Sequence, residues 1–132
     1  QIPYLNRKGI NVFLDAKVIR NDNRYGITII ETGIGRLSIP ECQFEVGQRF
    51  RVRILSDDVS ITLSKSKDSS ISNIFKVKVK KIATDSKHMK IITLESGSTQ
   101  IKARITKKSS EILNLKLNDE VFAQIKTVAI TY

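Results

Sequence analysis

One pattern of short β-strands and turns runs twice along this chain. In residues 12–67 a β-branched strand is followed by a turn, two short returning strands and a closing pair of strands, and residues 68–132 repeat this layout with few identities. A chain of 132 residues is too short for two large cores, so we expect two small β units that share apolar surface. Residues 1–11 precede the pattern, and we interpret them as a leader from an upstream segment.

Alternating side chains mark the clearest strand of each unit. Residues 49–54 read Arg-Phe-Arg-Val-Arg-Ile, and residues 75–80 read Phe-Lys-Val-Lys-Val-Lys. A period of two places the apolar side chains on one face of a strand and the basic side chains on the other. The pattern leaves open whether the arginine row is a solvated face or contacts nucleic acid.

Turns and short helical segments complete the two units. Residues 21–26 have strong turn composition, and residues 40–44 have room for no more than a helical turn. In the second unit Thr106 or Ser109 is predicted to cap a short helix whose apolar side lies within residues 112–115. Five short strands per unit, with one short helix or helical turn, predict a mainly β fold of two tandem, small OB-like Greek-key barrels.

Composition and motifs limit the function. Lys and Arg outnumber Asp and Glu by 23 to 13, and the net charge of +10 favours an anionic partner. One cysteine, Cys42, excludes an internal disulfide, and the lone His88 has no partner residues for a zinc site. No apolar run reaches the roughly 18 residues that span a bilayer. The sequence has no carboxylate pair, nucleophile–base set or glycine-rich phosphate loop. We therefore expect a soluble protein that is not an enzyme.

Several segments resemble a known family in their order and spacing. They are residues 24–28, 35–40, 51–55, 58–60, 70–74, 103–106 and 123–130. From Val12 to Tyr132 the chain is similar to the C-terminal di-Mop (TOBE-type) oxyanion-binding region of molybdate ABC transporter ATP-binding proteins. The resemblance implies two fused Mop-like β-barrels, residues 12–67 and 68–132, that bind molybdate or tungstate and sense the intracellular oxyanion for a transporter.

The same resemblance implies the partners and the location. In the family an ATP-binding-cassette domain is attached, so ATP would bind upstream of Gln1 and not on this chain, and the membrane permease is a further partner. We expect a homodimer, because small barrels leave open strand edges and the family's ligand sites lie between units. The protein would be cytoplasmic, held at the inner face of the cell membrane through the transporter, without nucleic acid and without inserting into the membrane.

Three segments carry the residues that the resemblance implies for the oxyanion. The family uses a Ser-x-Arg-Asn segment, a Thr followed three residues later by a Ser, and a Lys followed by a small residue. The matching positions are Ser70, Ser72, Asn73, Thr106, Ser109, Lys126 and Thr127. A tetrahedral oxyanion offers only acceptors, so several converging donors suit it. Ser72 stands where the family motif has Arg, and Lys107 or Lys108 could supply the missing positive charge.

Two alternatives stay open. The charge and the arginine row favour a single-stranded nucleic-acid-binding barrel, although aromatic residues make up only 6% of the chain and tryptophan is absent. The serine at position 72 favours a dimerisation module whose oxyanion site has decayed.

Overall fold

Ten strands account for most of the molecule. The computed structural model describes residues 9–65 and 68–131, and within them it contains ten β-strands, one short α-helix and one 3-10 turn. In chain order these are β1 (Asn11–Asp22), β2 (Ile27–Thr32), β3 (Gly35–Pro40), β4 (Arg49–Leu55), the 3-10 turn (Ser56–Asp58), β5 (Val59–Thr62), β6 (Ile74–Ser86), β7 (Met89–Ser96), β8 (Thr99–Thr106), α1 (Lys107–Ile112), β9 (Glu120–Ile125) and β10 (Ala129–Thr131). The predicted mainly β fold is confirmed.

The described strands form two five-stranded antiparallel sheets with the same topology. The first has the order β10-β4-β1-β2-β3 and the second has the order β5-β9-β6-β7-β8. Moving five strands along the chain converts one order into the other, which confirms the predicted tandem layout. In the second sheet β5 also lies against β8, so that sheet curls back on itself.

The two sheets exchange their last strands. β5 precedes residue 68 in the chain but pairs with β9 in the second sheet, whereas β10 belongs to the second half and pairs with β4 in the first sheet. Each half of the sequence therefore leaves one sheet incomplete without the other half. The division into units 12–67 and 68–132 stays a prediction about sequence organisation.

Two long strands, β1 and β6, each pair with two neighbouring strands. β1 pairs with β4 along its first half and with β2 along its second half, and its register shifts between Val18 and Arg20. β6 does the same with β9 and β7, with a shift between Val79 and Lys81. A bulge bends a strand and increases its twist. The bends allow the five strands of each sheet to curve around the core.

Buried and exposed side chains alternate along β4 and β6, the two strands with rows of basic residues. Val52 and Ile54 are buried in β4, whereas Arg49, Arg51 and Arg53 are exposed. In β6, Val77 and Val79 are likewise buried while the lysines between and beside them are exposed. The buried side chains of both sheets form one continuous apolar cluster. Both predicted strands are confirmed, and their basic side chains lie on the outer faces of the sheets.

One local expectation in the first half was wrong. Asn21 and Asp22 belong to β1 rather than to the following turn, because they pair with Thr28 and Ile27 of β2. Residues 41–44, where no more than a helical turn was expected, form no helical turn. Side chains tie this loop to β1 and β2, since Asn21 Nδ2 donates to the Phe44 carbonyl at 3.0 Å and the Cys42 N–H donates to Thr28 Oγ1 at 3.2 Å.

Candidate functional site

The seven predicted site residues lie on three segments. Residues 70–73 lead into β6, residues 106–109 span the junction of β8 and α1, and residues 126–127 link β9 to β10. All seven residues are exposed except Asn73. Exposed hydroxyl and ammonium groups at chain reversals are accessible to a small anion.

The side chain of Asn73 forms a contact between the two sheets. Its Oδ1 accepts the Ser38 N–H at 2.8 Å, and its Nδ2 donates to the Ser38 carbonyl at 3.0 Å. Only 8% of Asn73 is exposed, so these bonds are shielded from water. Asn73 therefore fixes the segment that carries Ser70 and Ser72 against the edge of β3.

The segment before β6 lies beside the segment after β9. β6 pairs with β9 as far as Ile74, and beyond that ladder the Ile125 N–H donates to the Asn73 carbonyl at 2.9 Å. Ser72 and Lys126 are the next residues beyond this bond and lie outside both strands. The structure thus brings together two of the three predicted segments.

The Thr106 and Ser109 hydroxyls form one close pair. Thr106 is the N-cap of α1, and its Oγ1 accepts the Ser109 N–H at 3.0 Å, as predicted for a capping residue. The Thr106 hydroxyl also donates to Ser109 Oγ at 2.9 Å. Both side chains face solvent. The cap fixes the position of two hydroxyl oxygens on the surface.

Two lysines lie beside this hydroxyl pair. Lys107 and Lys108 begin α1 and are exposed. The Lys107 N–H donates to the His88 carbonyl at 2.8 Å, which holds the start of α1 against the β6–β7 turn. A shallow cavity of about 360 Å³ is lined by His88, Met89, Thr106, Lys107, Lys108 and Glu111. Its rim offers hydroxyl and ammonium donors, which suit an anion.

The 3-10 turn contacts both the segment that carries Lys126 and strand β8, which leads to Thr106. The Lys126 N–H donates to the Asp58 carbonyl at 2.9 Å. On the other side of the turn, Arg104 Nη1 lies 3.5 Å from Asp57 Oδ2, and Arg104 Nε donates to Asp85 Oδ2 at 2.9 Å. The hydrogen bond to Asp85 is the main cause that raises the pKa of Arg104, and the charge of Asp57 adds to it. Arg104 therefore stays charged while it joins the turn to β8.

The sequence alone did not identify the residues that support these segments. Ser38, Asp57 and Arg104 received no role, although position 104 lies within a segment that carried the family resemblance. Ser38 and Asn73 are 35 positions apart, and Asp57 and Arg104 are 47 apart. Contacts over such separations leave no local periodicity or spacing in one sequence.

A larger cavity of about 760 Å³ contains none of the predicted site residues. It lies between β3, the loop that follows it, and β10. Its lining consists of Ile39, Pro40, Glu41, Cys42, Gln43, Phe44, Gln48, Val128 and Ile130. The lining mixes apolar side chains with Glu41, Gln43 and Gln48 and contains no lysine or arginine, so it lacks the cationic donors that suit an oxyanion.

The described residues contain neither a cluster of potential metal ligands nor a helix that could span a membrane. Among residues 9–65 and 68–131, no group of three or more His, Cys, Asp or Glu side chains is placed to hold a metal ion. Within the same ranges, no helix is long and apolar enough to cross a membrane.

The second half of the chain matches a known family model. Residues 69–131 match the TOBE domain. All seven predicted site residues fall inside the matched range, as do Arg104 and the strands β6 to β10. The residues of the 3-10 turn, β5 and β3 lie outside the matched range and come from the first half of the chain.

Curated relatives extend the similarity over both halves. The chain is 36% identical over 131 residues to a protein of Photobacterium profundum named "Molybdenum import ATP-binding protein ModC", with 98% of this chain and 37% of the relative covered. A protein of the same name from Saccharophagus degradans is 35% identical, with 98% and 37% covered. A protein of the same name from Mesorhizobium japonicum is 32% identical, and the match covers 88% of this chain and 31% of that protein. The chain spans about a third of the length of these relatives, and the resemblance to molybdate ABC transporter ATP-binding proteins is confirmed.

A solved structure shares the fold. It is the cytoplasmic molybdate-binding protein ModG with molybdate bound, and it matches with a TM-score of 0.71 at 20% identity. The match covers 91% of this chain and 96% of that chain. The two-sheet fold described above is therefore shared with that protein along nearly its whole length.

Proposed function

We propose that this chain binds molybdate, or the similar tungstate dianion, and serves as the regulatory module of a molybdate-import ABC transporter ATPase. The geometric observation that carries the proposal is the capped hydroxyl pair of Thr106 and Ser109, which faces solvent beside Lys107 and Lys108. A tetrahedral dianion accepts hydrogen bonds at all its oxygens, so clustered donors suit it. Support comes from relatives named for molybdenum import and from the fold shared with a molybdate-bound protein.

The proposed donors come from all three segments. Ser109 supplies a hydroxyl donor that the Thr106 hydroxyl holds in place, Lys126 supplies a charge, and Thr127, Ser70 and Ser72 supply further hydroxyls. The hydrogen bond from the Ile125 N–H to the Asn73 carbonyl, between the residues next to Lys126 and Ser72, supports one shared site for these two segments. In this proposal Asn73 is primarily a positioning residue, because its side chain already bonds Ser38.

The regulatory role rests on the length of the relatives. The chain covers about a third of proteins named as ATP-binding, so in the proposal the rest of such a protein carries the ATP site and meets the membrane permease. The module itself would be non-catalytic, would work in the cytoplasm at the inner face of the membrane, and would report the oxyanion level to the transporter.

We also propose that the module is a homodimer. The oxyanion donors are exposed on one chain, and strands β3 and β10 are the outer strands of the first sheet. A second copy would cover exposed donors and exclude water, which strengthens the electrostatic contribution of Lys126. Sedimentation with and without molybdate would test this arrangement. A monomer under both conditions would rule it out.

Calorimetric titration tests the proposed ligand. Molybdate, tungstate, sulfate and phosphate are titrated separately into the same protein. The proposal expects molybdate and tungstate to bind and sulfate to bind more weakly. Equal binding of sulfate would overturn the selectivity, and no binding of any anion would favour a dimerisation module with a decayed site.

A second candidate function is binding of single-stranded nucleic acid. The observation that favours it is the exposed basic face of β4, where Arg51 lies over the Phe13 ring at 5.1 Å and Arg49 and Arg53 flank it. Such a face can attract phosphates and stack a base. Titration with oligonucleotides at two salt concentrations separates the candidates. Binding that weakens steeply with salt would support the nucleic-acid role.

A further inference from the structure

We propose that the Arg104–Asp57 contact is a positioning device that holds the Thr106 and Lys126 segments in register for the oxyanion. The inference rests on the proposed function for its ligand. Its geometric part, that the contact fixes the Lys126 segment, stands on the contacts of the chain alone.

Arg104 bridges two carboxylates that come from different halves of the chain. Its Nε donates to Asp85 of β6 at 2.9 Å, and its Nη1 lies 3.5 Å from Asp57 of the 3-10 turn. The side chains of Arg104 and Asp57 are only 19% and 18% exposed. A partly shielded guanidinium with two carboxylate partners holds its geometry better than an exposed pair does.

Each end of the Asp57 contact leads directly to a proposed ligand segment. Arg104 is two residues before Thr106 on β8, so both side chains project from the outer face of that strand. Asp57 is adjacent to Asp58, whose carbonyl accepts the Lys126 N–H at 2.9 Å. The 3-10 turn is therefore a common support for the two segments.

The turn itself is anchored firmly on its other side. Ser56 is fully buried, its Oγ accepts the Ile10 N–H at 2.9 Å, and its own N–H donates to the Ile10 carbonyl at 2.9 Å. A turn fixed in this way can transmit the position of Arg104 to Lys126.

If these carboxylates acted only through their charge, removing one would change the affinity for an anion in the opposite direction to a loss of positioning. Asp57 and Asp85 are both negative, so removing either carboxylate would strengthen the binding of an anion through space. Positioning predicts instead that loss of the Asp57 charge weakens binding, whereas loss of the Asp85 charge does not. Asp57→Asn and Asp85→Asn are therefore a matched pair, because each removes one unit charge from the same arginine.

The experiment compares wild type, Asp57→Asn and Asp85→Asn by molybdate calorimetry, thermal melting and amide hydrogen exchange. For Asp57→Asn we expect binding about tenfold weaker and faster exchange of the Lys126 amide. Asp85→Asn should bind molybdate at least as tightly as wild type, with unchanged Lys126 exchange. Arg104→Lys, which keeps the charge but loses the two-armed guanidinium, should behave like Asp57→Asn and serves if that variant folds poorly.

Three results would overturn the inference. They are wild-type or tighter binding by Asp57→Asn, equal weakening in both aspartate variants, and unchanged Lys126 exchange in Asp57→Asn. If the wild-type protein bound no molybdate, the proposed function would fail separately. The Lys126 exchange comparison would then still decide whether the contact positions the segment.

Discussion

The side chain of Asn73 and the backbone of Ser38 join the two sheets through a reciprocal pair of hydrogen bonds, at 2.8 and 3.0 Å. Ser38 lies on β3, the outer strand of the first sheet, and Asn73 immediately precedes β6 of the second. An outer strand presents unpaired N–H and C=O groups. Asn73 satisfies one of each, as a neighbouring strand would.

Replacing Asn73 should cost stability. Asn73→Ala leaves the Ser38 N–H and carbonyl without this partner, so we expect a loss of about 2 kcal/mol in the free energy of unfolding. Urea unfolding followed by circular dichroism measures it. Ser72→Ala, at the exposed neighbouring position, is the control and should change stability by less than about 0.5 kcal/mol. Equal stability of the two variants would contradict the bridging role.

The helix cap gives a second prediction. Thr106→Val keeps the shape of the side chain but removes the oxygen that accepts the Ser109 N–H. We expect a loss of about 1 kcal/mol in stability and weaker molybdate binding. Thr106→Ser keeps the oxygen and should retain both properties. If valine and serine behaved alike in melting and in titration, neither the cap nor the hydroxyl would matter.

Exchange of the last strands predicts that neither half of the chain folds alone. A fragment of residues 9–65 lacks β10, and a fragment of residues 68–131 lacks β5. Each leaves a sheet edge and part of the core exposed, so we expect no cooperative unfolding transition from either fragment. Mixing them should restore the circular dichroism of the intact protein. A cooperative melt from one isolated fragment would contradict this.

The departure at position 72 gives a gain-of-function prediction. Ser72→Arg adds a cationic donor beside Lys126, and we expect molybdate to bind about tenfold more tightly. Ser98→Arg is the control, because Ser98 is exposed in the turn between β7 and β8 and adds the same charge elsewhere. An equal gain in both variants would show a general charge effect and would contradict a site at residue 72.

Features that depend on near neighbours in the chain could be predicted from the sequence. The alternation in β4 and β6 and the cap at Thr106 follow from spacing of a few residues, and the structure confirms both. Repetition of the strand pattern likewise predicted two similar β units in tandem. In each case the physical cause is local backbone geometry, which a single sequence records directly.

Features that depend on which segments meet could not be predicted in this way. β5 has four residues and β10 has three, and an alternating strand that short fits either sheet equally well. Which sheet each of these two strands joins depends on the packing of the whole core. Asn73 was assigned to the oxyanion by resemblance, but its bonds to Ser38 depend on contact between the halves. Arg104 likewise depends on Asp57 and Asp85.

Calorimetric titration of molybdate into wild type, Lys126→Ala and Lys17→Ala tests the central claim most directly. Lys17 is exposed on β1, outside the three site segments, and its removal changes the net charge by the same amount. We predict binding by wild type and Lys17→Ala, and binding about tenfold weaker in Lys126→Ala. No binding by wild type, or equal weakening in the two lysine variants, would contradict an oxyanion site at Lys126.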